Sequence, residues 1–154
     1  MTKAGVKAKT KHSRQALDRL AQEADGQYRI KSEPPLLVPL REIDQKLDRV
    51  NEKVVRETYE AYVRSVSSDC RVLLKNYQPV DFGLKVVGVG SVGTRCWILL
   101  LEGQDRNDPL FLQAKEATHS VLAEHLRPSP YRTHGRRVVE GQRLMQTTSD
   151  IFLG

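Results

Sequence analysis

The residues of this chain that are best suited to chemistry form a glycine-rich stretch, KVVGVGSVGTR, at positions 85–95. Gly88, Gly90 and Gly93 follow the spacing G-x-G-x-x-G. Because glycine has no side chain, backbone N–H groups in such a loop can approach the oxygens of a phosphate group. The same letters also occur in ordinary tight turns, so the neighbouring elements decide which structure they form.

The elements that flank this loop are predicted to be strands. Segments rich in Val, Ile, Leu, Phe and Trp predict three strands, over residues 84–90, 95–101 and 110–116. A polar, turn-rich connection separates the last two, so we expect an antiparallel meander. A Rossmann-type NAD-binding unit requires a helix directly after the third glycine. That alternative, with Asp108 as the ribose contact, is therefore disfavoured.

A lysine on the third predicted strand extends the phosphate-binding pattern. Lys115 ends the segment LQAK, which resembles the VAIK segment of protein kinases. In kinases this lysine contacts the nucleotide phosphates, and a glutamate of the next helix holds it. Glu140 is the matching glutamate here, whereas strand alternation points Glu116 away from Lys115. Taken singly, the glycines are typical of a tight turn, Lys115 of an exposed edge strand and Glu140 of a solvent-exposed helix. Their order along the chain nevertheless favours a phosphate site.

Asp81 opens the triplet DFG, which binds magnesium in protein kinases. In a kinase the triplet follows the lysine strand, and here it precedes the glycine loop. We therefore interpret Asp81 as a residue at the start of a strand. The four histidines do not have metal-binding spacing, and no metal site is predicted.

Helices are predicted on both sides of the meander. Ser13 and Gly26 are typical of the two ends of a short amphipathic helix over residues 13–26. The prolines of residues 33–40 predict an extended linker, because proline fixes φ and removes a donor. The remaining predicted helices cover residues 41–66, 69–77, 119–126 and 135–148.

Composition and charge exclude several classes of protein. The chain is 39% hydrophobic and 29% charged and has no long apolar run, so we expect a cytoplasmic protein that does not enter the membrane. The two cysteines form no C-x-x-C pair and are expected to be reduced. Residues 1–14 carry +5 of the net charge of +6 and are predicted to be a flexible basic tail. Because no aromatic residues lie between its lysines, we do not expect a dedicated nucleic-acid site.

Three stretches, KVVGVGSVGTR, PLFLQAKEA and RVVEGQRLMQTTSDIFLG, together resemble the bacterial domain-of-unknown-function family 2252. QALDRLAQEADGQYRIKSEPPLLVPL resembles it as well, so the similarity covers nearly the whole chain after the tail. The resemblance implies an α+β, partial protein-kinase-like fold related to the aminoglycoside phosphotransferases, in which helices precede and follow a β-meander with a Gly-rich hairpin. It implies ATP with magnesium as the cofactor. The residues implied to bind it are Gly88, Gly90, Ser91, Gly93, Lys115 and Glu140.

In that implied site the loop covers the nucleotide phosphates, Lys115 contacts them and Glu140 orients Lys115. Members of the family also carry a catalytic-loop-like segment, G-D-x-H-x-x-N-F-G, and further sequence after the final FLG, and neither is present here. The catalytic residues are therefore unknown. We interpret the chain as a central fragment with a tail (1–14), a helical region (15–80) and a truncated nucleotide-binding-lobe-like region (81–154).

We expect such a fragment to bind a nucleotide, to be inactive alone and to have a missing second half of the fold as its partner. The alternative is a non-catalytic interaction module that binds a protein or nucleic acid through the basic tail. The two functions differ in their dependence on ionic strength, since binding through the tail is expected to fall steeply with added salt.

Overall fold

The computed structural model describes residues 15–43, 52–86, 88 and 93–154. In this part of the chain the fold is α+β, with a four-stranded antiparallel sheet and a separate two-stranded hairpin. The elements in chain order are α1 (residues 15–20), β1 (Ala21–Ala24), β2 (Gln27–Ile30), β3 (Leu37–Pro39), a 3₁₀ turn (Leu40–Glu42), α2 (Glu52–Ser65), α3 (Ser68–Leu74), β4 (Gln78–Lys85), β5 (Cys96–Glu102), β6 (Pro109–Lys115) and α4 (His134–Met145).

The four-stranded sheet has the order β3–β4–β5–β6, and each neighbouring pair is antiparallel. The predicted meander is confirmed, but its first strand, predicted over residues 84–90, begins at Gln78 and ends at Lys85. Residues 87, 89 and 90 of the predicted span lie outside the described residues. Pro79 and Gly83 weaken the sequence signal of β4, because both residues are disfavoured inside strands. A register shift between Pro79 and Asp81 accommodates the proline.

The sheet is covered on both faces, which explains why β5 is a continuous apolar run. On one face, which we call the helix face, Leu99 and Leu101 pack against residues of α2 and α3. On the other, which we call the hairpin face, Ile98 and Leu100 pack against α1, the β1–β2 hairpin and Leu37. The sheet is therefore the central layer between two apolar clusters.

The prediction of a single helix over residues 13–26 is wrong for the second half of that range. Residues 15–20 are helical, but residues 21–30 form the β1–β2 hairpin. Asp25 and Gly26 have φ values of 51° and 72°, and a two-residue hairpin turn requires this left-handed region. Gly26 therefore reverses the chain instead of ending a helix, and the register pairs Ala21 with Ile30 in the hairpin-face cluster.

The predicted linker over residues 33–40 contains a strand of the main sheet. In β3, Leu37 pairs with Lys85 and is buried in the hairpin-face cluster. The 3₁₀ turn follows at the place where the long helix over residues 41–66 is predicted to begin. That helix is confirmed as α2 from residue 52 to residue 65, and residues 44–51 lie outside the described part of the chain.

The other predicted helices have different outcomes. α3 and α4 confirm the helices expected over residues 69–77 and 135–148, and the Thr133 hydroxyl caps α4 by accepting a hydrogen bond from the N–H of Arg136. Residues 121–125 form turns instead of the predicted helix over residues 119–126. The side chains of Val121 and Leu122 are exposed, so no buried apolar face stabilises a helix there.

Among the described residues, no helix has both the length and the apolar character that crossing a lipid bilayer requires.

Candidate functional site

The glycine-rich loop connects β4 to β5 at one end of the sheet. Gly88 is exposed, and Gly93 has a φ of 86°, a conformation that favours glycine. A Cβ atom built at either position would meet no atom of the described residues within 4 Å. The backbone is therefore open to a ligand at both glycines. Gly90 and Ser91, the other two predicted loop residues, lie outside the described residues.

The element that follows the loop is a strand. β5 begins at Cys96, and its residues pair with β4 on one side and β6 on the other. A dinucleotide-binding βαβ unit needs a helix at this point, so the NAD-binding alternative is wrong. Asp108, the ribose contact of that alternative, lies at the other end of the sheet, where its carboxylate accepts a hydrogen bond of 2.9 Å from the Tyr77 hydroxyl.

Lys115 lies beside the end of the loop. It is the Cα partner of Cys96, and directly paired residues of antiparallel strands project on the same face. Since Ile98 is two residues further along β5 and packs on the hairpin face, Lys115 is on that face too. Its side chain is exposed. A ligand at the loop would thus lie next to an accessible ammonium group.

Glu116, which follows β6, forms hydrogen bonds and an ion pair with Arg95 at the end of the loop. Its carboxylate accepts a hydrogen bond of 3.2 Å from the backbone N–H of Arg95 and lies 3.8 Å from the guanidinium of the same residue. Its own backbone N–H donates to the Arg95 carbonyl at 2.9 Å. Glu116 is the partner of Arg95 at the strand end next to the loop, which agrees with its predicted orientation away from Lys115.

Glu140 has partners on its own helix. Its carboxylate lies 2.9 Å from Arg136 and 3.4 Å from Arg143. Among the ion pairs of the described residues, none joins Glu140 to Lys115. That Glu140 orients Lys115 stays a prediction.

Comparison with known proteins places the chain in a family. The family model described as an uncharacterized protein conserved in bacteria (DUF2252) matches residues 1–154. The chain belongs to this family. No curated protein matches the DUF2252 chain. No solved structure matches it either.

Asp81 of this DUF2252 chain has a structural role that was not predicted from the sequence. It lies within β4 and not at the start of the strand, and it is buried. Its carboxylate accepts hydrogen bonds from the N–H of Ile30 at 2.8 Å, the guanidinium of Arg41 at 2.8 Å and the N–H of Phe82 at 2.9 Å. Asp81 therefore holds the hairpin and the 3₁₀ turn to the sheet. A lone acid in an apolar strand is the sequence signal for such a buried cluster.

Several groups with a raised pKa in the DUF2252 chain lie in the helix-face cluster. Burial raises the pKa of Tyr62 and of Tyr59 above the ordinary value of a tyrosine. Burial also raises the pKa of the Cys70 thiol. The Tyr62 hydroxyl donates a hydrogen bond of 2.7 Å to the carbonyl of Phe152. These shifts follow from packing in the core, on the face of the sheet away from Lys115.

Proposed function

We propose that this chain binds the phosphates of ATP at the β4–β5 loop, in the manner of the nucleotide lobe of a kinase-like phosphotransferase. The observation that carries the proposal is the register of β5 and β6, which sets Lys115 opposite Cys96. Cys96 follows Gly93 by three positions. The glycine loop and a lysine of the adjacent strand therefore meet at one end of the sheet.

The described loop residues fit a phosphate ligand. No atom of the described residues occupies the space where Cβ atoms would stand at Gly88 and Gly93, so phosphate oxygens can approach the backbone there. Lys115 supplies a compact positive charge on a flexible side chain, which suits contact with phosphate oxygens. A magnesium ion that arrives with the nucleotide would neutralise further phosphate charge.

The proposal concerns nucleotide binding. Phosphoryl transfer also requires a base and metal-binding groups that act together with the lysine. No residue of this chain is assigned either of those roles. The kinase-like fold, like the binding of ATP, is part of the proposal.

Calorimetric titration of Mg-ATP into the wild type and the Lys115→Met variant tests the proposal. We expect saturable binding that Lys115→Met weakens about tenfold or more, the equivalent of one hydrogen bond to a charged group. Lys75→Met is the matched control, because Lys75 is an exposed lysine at the end of α3. It should leave the affinity unchanged. Absence of binding by the wild type, or equal affinities of all three proteins, would contradict the proposal.

A further inference from the structure

A second lysine lies at the same end of the sheet as Lys115. Lys85 is the last residue of β4 and precedes Gly88 by three positions. Its Cα partner on β3 is Leu37, which is buried in the hairpin-face cluster. Because directly paired residues of antiparallel strands share a face, Lys85 also projects on the hairpin face. Its side chain is partly exposed.

Lys85 and Lys115 lie on either side of Cys96. In the β4–β5 register Leu84 pairs with Trp97, so the next step of the antiparallel ladder brings Lys85 across from Cys96. Lys115 is paired with Cys96 from the other side. The three residues form a row across β4, β5 and β6, which we call the lysine row. Neighbouring strands are about 4.8 Å apart, so the two lysine backbones are roughly 10 Å apart.

Within the described part of the chain, the lysine row forms no ion pair with an acidic side chain. Among the ion pairs between described residues, none involves Lys85 or Lys115. Glu116, the acid next to Lys115 in sequence, is bound to Arg95 and belongs to the other face. Two like charges at this separation create a positive potential that favours an anion able to contact both.

We propose that Lys85 and Lys115 bind the two ends of one polyphosphate chain, and that the site therefore selects ligands with two or more linked phosphates. This inference places its ligand at the loop described under the proposed function and rests on it for that location. Each lysine is a point charge on a flexible four-carbon stem, so the two side chains can close on a polyphosphate between them. A polyphosphate can contact both ammonium groups while they stay apart, whereas a monophosphate can contact both only if the two like charges come close together, which their repulsion disfavours.

The test is calorimetric titration of wild type, Lys85→Met, Lys115→Met and the control Lys75→Met with Mg-ATP, AMP and inorganic tripolyphosphate. We expect Lys85→Met to weaken Mg-ATP and tripolyphosphate about tenfold, because it removes one charged hydrogen bond to phosphate. It should weaken AMP less than about twofold, since one lysine remains for one phosphate. Lys85→Arg retains the charge and should retain the preference for ATP over AMP, which separates a ligand contact from an effect on folding.

The outcomes separate this inference from the proposed function. If the wild type binds Mg-ATP and Lys115→Met weakens it while Lys85→Met behaves like Lys75→Met, the lysine row is refuted and the proposed function stands. If the wild type binds tripolyphosphate through Lys85 but does not bind Mg-ATP, the row stands and the nucleotide function is refuted. Equal losses for AMP and ATP in Lys85→Met refute the selection of polyphosphates. Binding of none of the three probes refutes both proposals.

Discussion

Asp81→Asn is expected to destabilise the fold, because it removes a buried negative charge on which three hydrogen-bond donors converge. One oxygen of the Asp81 carboxylate accepts from both Ile30 and Arg41, and the other accepts from Phe82. An asparagine side chain offers one acceptor oxygen and one NH₂ group. In either orientation of the amide, a donor of the side chain therefore faces a donor of the protein.

The cost can be worked out from the exposure of the partners. A hydrogen bond to a charged group contributes about 1.5–3 kcal/mol, and this range applies to the buried N–H of Ile30. The side chain of Arg41 is 43% exposed, so its ion pair contributes only about 0.5–1 kcal/mol. The expected loss of unfolding free energy is then about 2–4 kcal/mol. For a chain of this size it corresponds to a decrease in Tm of roughly 4–16 °C.

Urea unfolding followed by circular dichroism measures this loss, with Asp105→Asn as the matched control. The Asp105 carboxylate also accepts a backbone hydrogen bond, from Asn107 at 2.7 Å, but in an exposed turn. Its substitution should change the unfolding free energy by less than about 0.5 kcal/mol. If the unfolding free energies of the two variants differ by less than about 1 kcal/mol, Asp81 does not hold the hairpin to the sheet through these hydrogen bonds.

The helix-face tyrosines and the exposed apolar surface give three further expectations. Tyr62→Phe should lower the free energy of unfolding by about 1 kcal/mol, because the Tyr62 hydroxyl donates a hydrogen bond to the carbonyl of Phe152. Tyr59→Phe should leave the free energy of unfolding unchanged or raise it by up to about 1 kcal/mol, because the buried Tyr59 hydroxyl has no partner among the described residues. Similar losses for the two variants in urea unfolding would contradict this expectation. Because burial raises the pKa of Tyr62, the unfolded chain ionises first, and stability should fall above about pH 10. Urea titrations from about pH 8 to pH 11 should show a shallower fall for Tyr62→Phe, and an unchanged slope would refute its contribution. The side chains of Leu144 and Met145 are 83% and 82% exposed, so we expect concentration-dependent association, which light scattering would disprove by finding only monomer at high concentration.

The parts of the fold that could be predicted from sequence are those whose signal is local. β5 and β6 follow from apolar runs separated by a polar turn, and α3 and α4 follow from helical spacing. The β1–β2 hairpin could not be distinguished from a helix by the spacing of its apolar residues, because Ala and Leu suit both. The Asp25–Gly26 pair was the better signal, since both residues adopt the positive φ of a hairpin turn.

The start of β4 depends on contacts between distant segments. Pro79, Asp81 and Gly83 are all disfavoured in strands, so local propensity argues against this strand. Pairing with β3 and β5 and the contacts of Asp81 to Ile30 and Arg41 stabilise it nevertheless. The residues that make these contacts are far apart in the sequence and have no regular spacing, so no sequence pattern predicts the contacts.

In the candidate site, too, some features follow from the sequence and others depend on how distant strands pair. The adjacency of Lys115 to the loop follows from the order of strands in a meander, and the structure has this arrangement. The face shared by Lys85 and Lys115 requires the register of three strand pairs, and an error of one residue would move either side chain to the other face. Lys85 therefore could not be identified before the register was known.

The pairing of β3 with β4 has a consequence for the order in which the chain assembles. The loops that join β4 to β5 and β5 to β6 are short, whereas β3 must close a loop from position 37 to position 85 that contains both α2 and α3. Closing a longer loop costs more chain entropy, so contacts of high sequence separation slow folding. Apolar truncations in β5 should therefore slow refolding, and truncations in β3 should mainly accelerate unfolding, as stopped-flow kinetics would show. The proposed phosphate site, whose Lys85 pairs with Leu37 of β3, would then be completed late, after the meander that carries its lysines has formed.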